Sequence, residues 1–185
     1  SAIDPDIKIV PTEAKVFAGA DSLANILQNM PEVACAMPVL QERALVAGQN
    51  AQTPIIIKGV DPVRIGEMVD LDALLIDGVY SGTGGPVDSL PGIQLSVGVA
   101  VATGMRPSPD TKATIYMPRR LGRINPANPA AAYRELTSTV TGVFRIDQPE
   151  YDTEFVLAPL NKIRSLLEYG QGEASAIEVK AAPGT

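Results

Sequence analysis

The chain has 185 residues, with 21 acidic side chains against 15 Lys and Arg, one Cys, no Trp and no His. Its net charge of −6 supplies no basic face to offset phosphates, which argues against a general nucleic-acid binder and against a polybasic membrane-surface module. The missing His removes Ser-His-Asp and Cys-His nucleophiles and nearly every common zinc site, so an enzyme here would have to work with carboxylates, Lys or Tyr.

Ile7 to Val10 (IKIV) predicts a short strand closed by Pro11. Asp21 or Ser22 can cap a helix whose apolar face is Leu23, Ile26, Leu27 and Met30, ended by Pro31. Val33 to Leu40 and Arg43 to Ala47 read as two extended runs. The turn Gly48-Gln49-Asn50 then joins them to the strand Thr53 to Val60 as a hairpin. Cys35, flanked by Val33, Ala34, Ala36 and Met37, has the setting of an inert buried thiol and can form no internal disulfide.

Asp61-Pro62 opens a new region. Ile65 to Leu75 has mixed periodicity and no firm assignment, and Gly78 to Gly92 is rich in turn formers and reads as a loop. Ile93 to Thr103 predicts a strand end running into a small-residue helix that Gly104 stops. Pro107 to Asp110 is a turn and Thr111 to Met117 a strand. Pro118 to Arg134, with three prolines and four arginines, reads as a long loop projecting from the sheet. Two β-rich runs follow, Val140 to Ile146 and Phe155 to Leu157, joined by the polar stretch Asp147 to Asp152. Pro159 precedes a helix over Leu160 to Tyr169 with Ile163, Leu166 and Leu167 on one face. Gly170 to Gly172 ends it, and Ala174 to Lys180 is a last strand.

Strand–helix–strand units thus stand at both ends of the chain. Two such units commonly share one sheet, as in ferredoxin-like domains. The expected fold class is α+β and two-lobed. One lobe is built from 1–61 and 153–185, and a β-rich insertion of 62–152 makes the other.

Chemistry candidates are sparse. Gly82-Thr83-Gly84-Gly85 lacks the Lys-Ser/Thr ending of a phosphate loop. Asp70, Asp72 and Asp77 miss calcium-loop spacing and read as solvated acids. Glu150 and Asp152 read as a turn that positions two strands. Arg119, Arg120 and Arg123, with Asn125 and Asn128 on the same loop, are the candidate partner-binding residues, since Arg offers a rigid fork to carboxylates. No catalytic, cofactor or metal site is expected.

Several short motifs in order carry a family resemblance: DIKIVP near Ile7, IIIKGVD at Ile55 to Asp61, IQLSVGVAVATG at Ile93 to Gly104, VTGVF at Val140 to Phe144, EYD at Glu150 to Asp152, and SAIEVK at Ser175 to Lys180. In that order the chain resembles the MacB-like periplasmic core domain of MacB/FtsX/lipoprotein-releasing ABC transporter permeases. Asn125 to Ala132 (NPANPAAA) is most similar to versions from Bacteroides-type bacteria. The resemblance implies a Porter-like lobe from both chain ends and a Sabre-like β-rich insertion. It implies a non-enzymatic domain on the periplasmic face of the inner membrane, set between the first two transmembrane helices of a permease. It also implies a cytoplasmic ATPase acting through the rest of a permease dimer, and a lipoprotein, peptide or periplasmic protein as partner. The 118–134 loop lies where lipoprotein-exporting members can carry a carrier-docking hook, though its sequence does not match that hook.

The chain itself holds no apolar run near the roughly twenty residues that span a bilayer. It does not start with Met, so the expectation is a removed targeting segment or an excised part of a longer protein. A free-standing secreted peptide- or ligand-binding module is the alternative, and a carboxylate-based hydrolase a distant third.

Overall fold

The computed structural model describes residues 4–84, 90–119 and 125–185. Among the described residues the strands are β1 (Ile7–Ile9), β2 (Val33–Ala47), β3 (Gln52–Val60), β4 (Leu75–Gly78), β5 (Gly92–Ser96), β6 (Lys112–Pro118), β7 (Tyr133–Phe144), β8 (Phe155–Pro159) and β9 (Ala176–Ala181). The α-helices among the same residues are α1 (Ala20–Gln28), α2 (Ile65–Met68), α3 (Leu71–Leu74), α4 (Val97–Thr103), α5 (Pro149–Asp152) and α6 (Leu160–Leu166).

The fold is mixed α+β, and its strands form one sheet in the order β1-β9-β2-β3-β8-β5-β7-β4, with β6 bridging β2 and β7. The first and last strands pair antiparallel, Ile7 opposite Val179 and Ile9 opposite Ile177. The terminal strand–helix–strand units interlock: β9 inserts between β1 and β2, while β8 lies between β3 and β5.

β2 organises both parts of the sheet. The Gln41-Glu42 interruption suggests two extended runs, but β2 is one strand of 15 residues. Its first half pairs with β9; its second half pairs with β3 and, through Leu45 to Ala47, with β6. The polar interruption is accommodated because Gln41 and Glu42 keep their ladder partners Lys58 and Ile57. The pairs β2–β3, β3–β8, β8–β5, β5–β7, β7–β6 and β6–β2 therefore close a ring of six strands. Its core is aliphatic, with Ile57, Leu95, Ile115, Val140 and Val156 all fully buried. α6 packs on β3 over Gly59, where an added Cβ would lie 3.2 Å from Ile163 Cβ and from Leu160 Cα.

α1 covers the smaller layer, β1-β9-β2. Its buried face is Ala20 and Ala24 with Leu23 and Leu27 alongside, whereas Ile26 and Met30 are 63% and 43% exposed. The face is rotated from the expected one because two alanines allow the helix to approach the sheet closely. The expected side-chain cap is also absent. Gly19, at φ 75°, opens the helix; Asp21 lies within the first turn and pairs with Arg164.

The stretch of mixed periodicity resolves into two single-turn helices, α2 and α3, leading to β4. Asp70 breaks them and caps α3, its Oδ1 accepting the Ala73 amide at 3.3 Å. The loop expected over 118–134 is shorter than expected. The β6–β7 ladder runs from Lys112 opposite Thr139 to Pro118 opposite Tyr133, so Tyr133 and Arg134 are strand residues. The connection closes with a 3-10 turn at Pro129–Ala132.

Candidate functional site

Three places bring charged or aromatic side chains together. The first is the loop end of the β6–β7 ladder. Arg119 Nε donates to Glu168 Oε1 at 3.0 Å, and Arg134 Nη1 lies 3.3 Å from the same oxygen. Glu168 follows α6 at φ 62°, a left-handed conformation that is uncommon outside glycine, and so turns back towards the hairpin. The hydrogen bond from Arg119 is the main cause holding its carboxyl below the ordinary value.

Of the partner-binding candidates, Arg119 is thus held by Glu168 and remains 42% exposed. Asn125 serves its own turn, its Oδ1 accepting the Ala127 amide at 2.9 Å, and Asn128 begins the 3-10 turn without a side-chain cap. Arg120 and Arg123 lie outside the described residues. Beside the hairpin an open groove of about 920 Å³ runs along Ala44, Leu45, Tyr116 and Tyr133.

The second place is a polar cleft between α1, α6 and the Asp61 turn. Buried Arg164 donates to Glu173 O at 2.8 Å and pairs with Asp21. Arg64 donates to Ala36 O at 2.9 Å and Asn25 Oδ1 at 2.5 Å. Asp61 accepts the amides of Val63 and Arg64, which explains the Gly-Val-Asp turn. These bonds tie α1, β2 and α6 into one body.

The third place is a cavity on the outer sheet face. A row across the strands forms its floor: Glu178, Met37, Lys58, Leu157 and Gln94. The roof is the strap 65–75, contributing Ile65, Met68, Leu71 and Leu74. Tyr151 and Phe155 close one wall, their rings 5.0 Å apart and tilted. The Tyr151 hydroxyl donates to Asp4 at 2.7 Å, which together with burial pushes its pKa up to about 12. In the floor Lys58 Nζ meets both Glu178 oxygens, at 3.0 and 2.8 Å, with 13% and 5% of the two side chains exposed. Burial pushes Tyr80, also on the wall, up to about 12, with help from Asp61.

Under the same strap lies Cys35, fully buried, its thiol 3.6 Å from Arg64 O and pushed up to about 11 by burial and then by Glu67. Glu150 and Asp152 do not converge on a cavity. Asp152 accepts the Ile146 and Asp147 amides at 2.7 and 2.8 Å, the turn-forming role expected of it. Among the described residues no group of three or more His, Cys, Asp or Glu side chains could hold a metal.

Sequence reasoning overlooked the Lys58–Glu178 and Asp21–Arg164 pairs. The first did leave a signal. Lys58 interrupts the apolar run Ile55-Ile56-Ile57, and Glu178 sits between Ile177 and Val179. Single charges of opposite sign within two core strands are a pair in waiting, because a lone buried charge is costly.

No protein-family model matches the sequence, and no curated protein matches it. Solved structures match the fold: it is that of the extracellular and periplasmic domains of ABC-type transporter permeases. Particular matches are the extracellular domain of the noncanonic ABC-type transporter YknZ from Gram-positive bacteria and the periplasmic region of MacB from Actinobacillus actinomycetemcomitans. The first has a TM-score of 0.58 at 14% identity over 96% of this chain and 85% of that one. The second has 0.59 at 12% identity over 98% and 78%. A domain of a putative permease protein from Porphyromonas gingivalis matches with 0.58 at 16% identity over 100% and 77%. Among the described residues no helix is long and apolar enough to cross a membrane.

Proposed function

We propose that this chain is the extracytoplasmic domain of an ABC transporter permease, placed on the periplasmic face of a bacterial inner membrane. It is non-catalytic and passes ATP-driven motion of the membrane part to a lipoprotein, peptide or periplasmic protein. The observation that carries this reading is the fold match along nearly the whole chain. The antiparallel pairing of β1 with β9 supports it, since that pairing brings entry and exit of the chain to one end of the sheet, as an insertion between two membrane spans requires. The cytoplasmic ATPase acts through the rest of the permease, which works as a dimer. In this reading 1–61 with 153–185 forms the Porter-like lobe and 62–152 the Sabre-like one, with β2 and β8 joining them. Partner binding falls to the hairpin end, through Arg119, Arg120, Arg123, Asn125 and Asn128.

The test uses the full-length parent protein in intact cells. A cysteine placed at Tyr133, which is 57% exposed, should react with a membrane-impermeant maleimide before lysis, while buried Cys35 stays silent. The ATPase subunit should co-purify in detergent. Labelling only after lysis overturns the placement; a soluble, secreted parent supports the free-standing binding module instead. Replacing Arg119, Arg120 and Arg123 with Ala should weaken partner capture without changing the circular dichroism, and unchanged capture removes the hairpin from consideration.

A further inference from the structure

The open groove beside the β6–β7 ladder gathers two of the chain's five tyrosines, Tyr116 and Tyr133. The other three are held elsewhere: Tyr80 and Tyr151 wall the strap cavity, and Tyr169 packs on the core of the strand ring. Cross-strand partners share one face of a sheet. The register therefore sets two rows on the outer face, Leu45 opposite Tyr116 and Glu135, and Pro118 opposite Tyr133. Their chain neighbours Val46, Ile115 and Met117 belong to the core on the inner face. Arg43 and Gln52 complete the polar lining, and about 920 Å³ lies open, the size of a ligand cleft. Among the described residues, the side chains of Arg43, Gln52, Tyr116, Tyr133 and Glu135 make no hydrogen bond or ion pair.

The lining selects the chemistry of an occupant. Arg43 and Glu135 cancel in charge, which favours a ligand without net charge. Four of the five polar side chains can donate a hydrogen bond, and only Glu135 cannot. A ligand with an apolar body and many acceptors suits that set. The floor is a sheet face, and Pro118, past the end of the β2–β6 pairing, has no N–H to offer an added strand. Binding here runs through side chains. A shallow groove also favours a ligand that loses little freedom on binding. Polyproline II meets each condition: it is preformed, its carbonyls are all unpaired acceptors, and aromatic-lined grooves are where such segments dock. Diagonal neighbours on adjacent strands stand about 7–8 Å apart, and one turn of polyproline II advances about 9 Å, so a single turn spans both rings.

We propose that this groove takes a proline-rich segment of a partner protein in polyproline II form. Its proline rings lie against Tyr116 and Tyr133, and its carbonyls accept from the tyrosine hydroxyls and Arg43. The proposal rests on the reading of the hairpin end as the partner-binding end, and it names the chemistry of what binds there.

The tyrosines make the test specific. With ring-labelled tyrosine in the 185-residue chain, capped decaproline should give saturable shifts at Tyr116 and Tyr133 and none at Tyr80 and Tyr151. A capped Gly-Ser peptide of the same length has neither the rings nor the preformed helix, and should bind at least about 10-fold more weakly. Tyr133 is 57% exposed, so Tyr133→Ala should keep the fold, checked by an unchanged cooperative melt. That variant should weaken decaproline about 10-fold or more, and Tyr133→Phe about 3–10-fold, the effect of one hydrogen bond. No saturable shift up to about 10 mM decaproline, equal binding of the Gly-Ser peptide, or unchanged affinity in Tyr133→Ala would each overturn the proposal. So would saturable shifts with triacetylchitotriose and none with decaproline, which would assign the groove to a glycan. The purified chain is titrated without membrane or ATPase, so a negative result strikes the ligand class alone. The permease reading stands or falls on the labelling in cells.

Discussion

The two faces of the same sheet are closed in different ways. The inner face of the strand ring is sealed by α6 and the end of α4, and its core is aliphatic, with Ile57, Leu95, Ile115 and Ile163 all fully buried. The outer face is closed by a strap of two four-residue helices and one short edge strand, and it holds an ion pair and open space. A regular helix presents a continuous apolar stripe, with neighbours at i+3 and i+4. A single turn presents two or three side chains and then needs a cap, as Asp70 provides, before the next can begin. Irregular cover of this kind leaves gaps, and gaps are where ligands and motion find room.

The sharpest way to break the comparison is at the ion pair. Lys58→Met alone should cost about 3–5 kcal/mol in urea unfolding because Glu178 is left buried without a counter-ion, whereas the double replacement should recover or exceed the original stability. Ile163→Ala, on the inner face, should cost about 2–5 kcal/mol through lost burial and a residual cavity. Leu71→Ala, in the half-buried strap, should cost nearer ~1 kcal/mol; equal losses at Leu71 and Ile163 would erase the distinction between the faces.

Cys35 sharpens the comparison kinetically. At pH 8 its thiol, raised from 9.0 to about 11, should be inert in the closed state, so labelling reports opening of the strap. Labelling faster than global unfolding is expected; labelling only at the global rate would show the strap to be as firmly held as the ring. The smallest effect belongs to Glu168. Its lowered carboxyl value means that the contact with Arg119 and Arg134 is fully formed above the ordinary carboxylate value of 4.5 and is lost as pH falls through the lowered one. The Nε–H resonance of Arg119 should follow that titration and lose it in Glu168→Gln.

The hairpin of β2 and β3, the strand-to-helix passage stopped by Gly104 and the Asp152 turn were all legible, because each is written in adjacent residues with their own turn or stop chemistry. α1 was legible as a helix but not in orientation: Ile26 and Met30 outrank Ala20 and Ala24 in apolar size, yet close approach to the sheet favours the small residues. The unity of β2 was hidden by Gln41 and Glu42, which local patterning takes as a break. Ring closure was not legible, since it depends on Leu45 to Ala47 meeting Thr114 to Tyr116, a contact no local pattern encodes. The α+β class was legible in the strand–helix–strand patterns at both chain ends, and the resemblance pointed to the same class. The cavity rests on partners 120 positions apart in the chain, Lys58 and Glu178, and only their odd placement within apolar runs hinted at it.

The antiparallel seam between β1 and β9 has a mechanical meaning. Its two outward-leading ends emerge at the same margin, next to Ile7 and Val179. Tethers drawn apart at that margin would load its bonds singly, like a zipper opened from the top. Tethers that travel together would leave the seam unloaded and carry the whole body along as a piston. If both ends are tethered, as the proposed reading holds, the seam would survive concerted displacement and would yield first, at β1, when the two tethers separate.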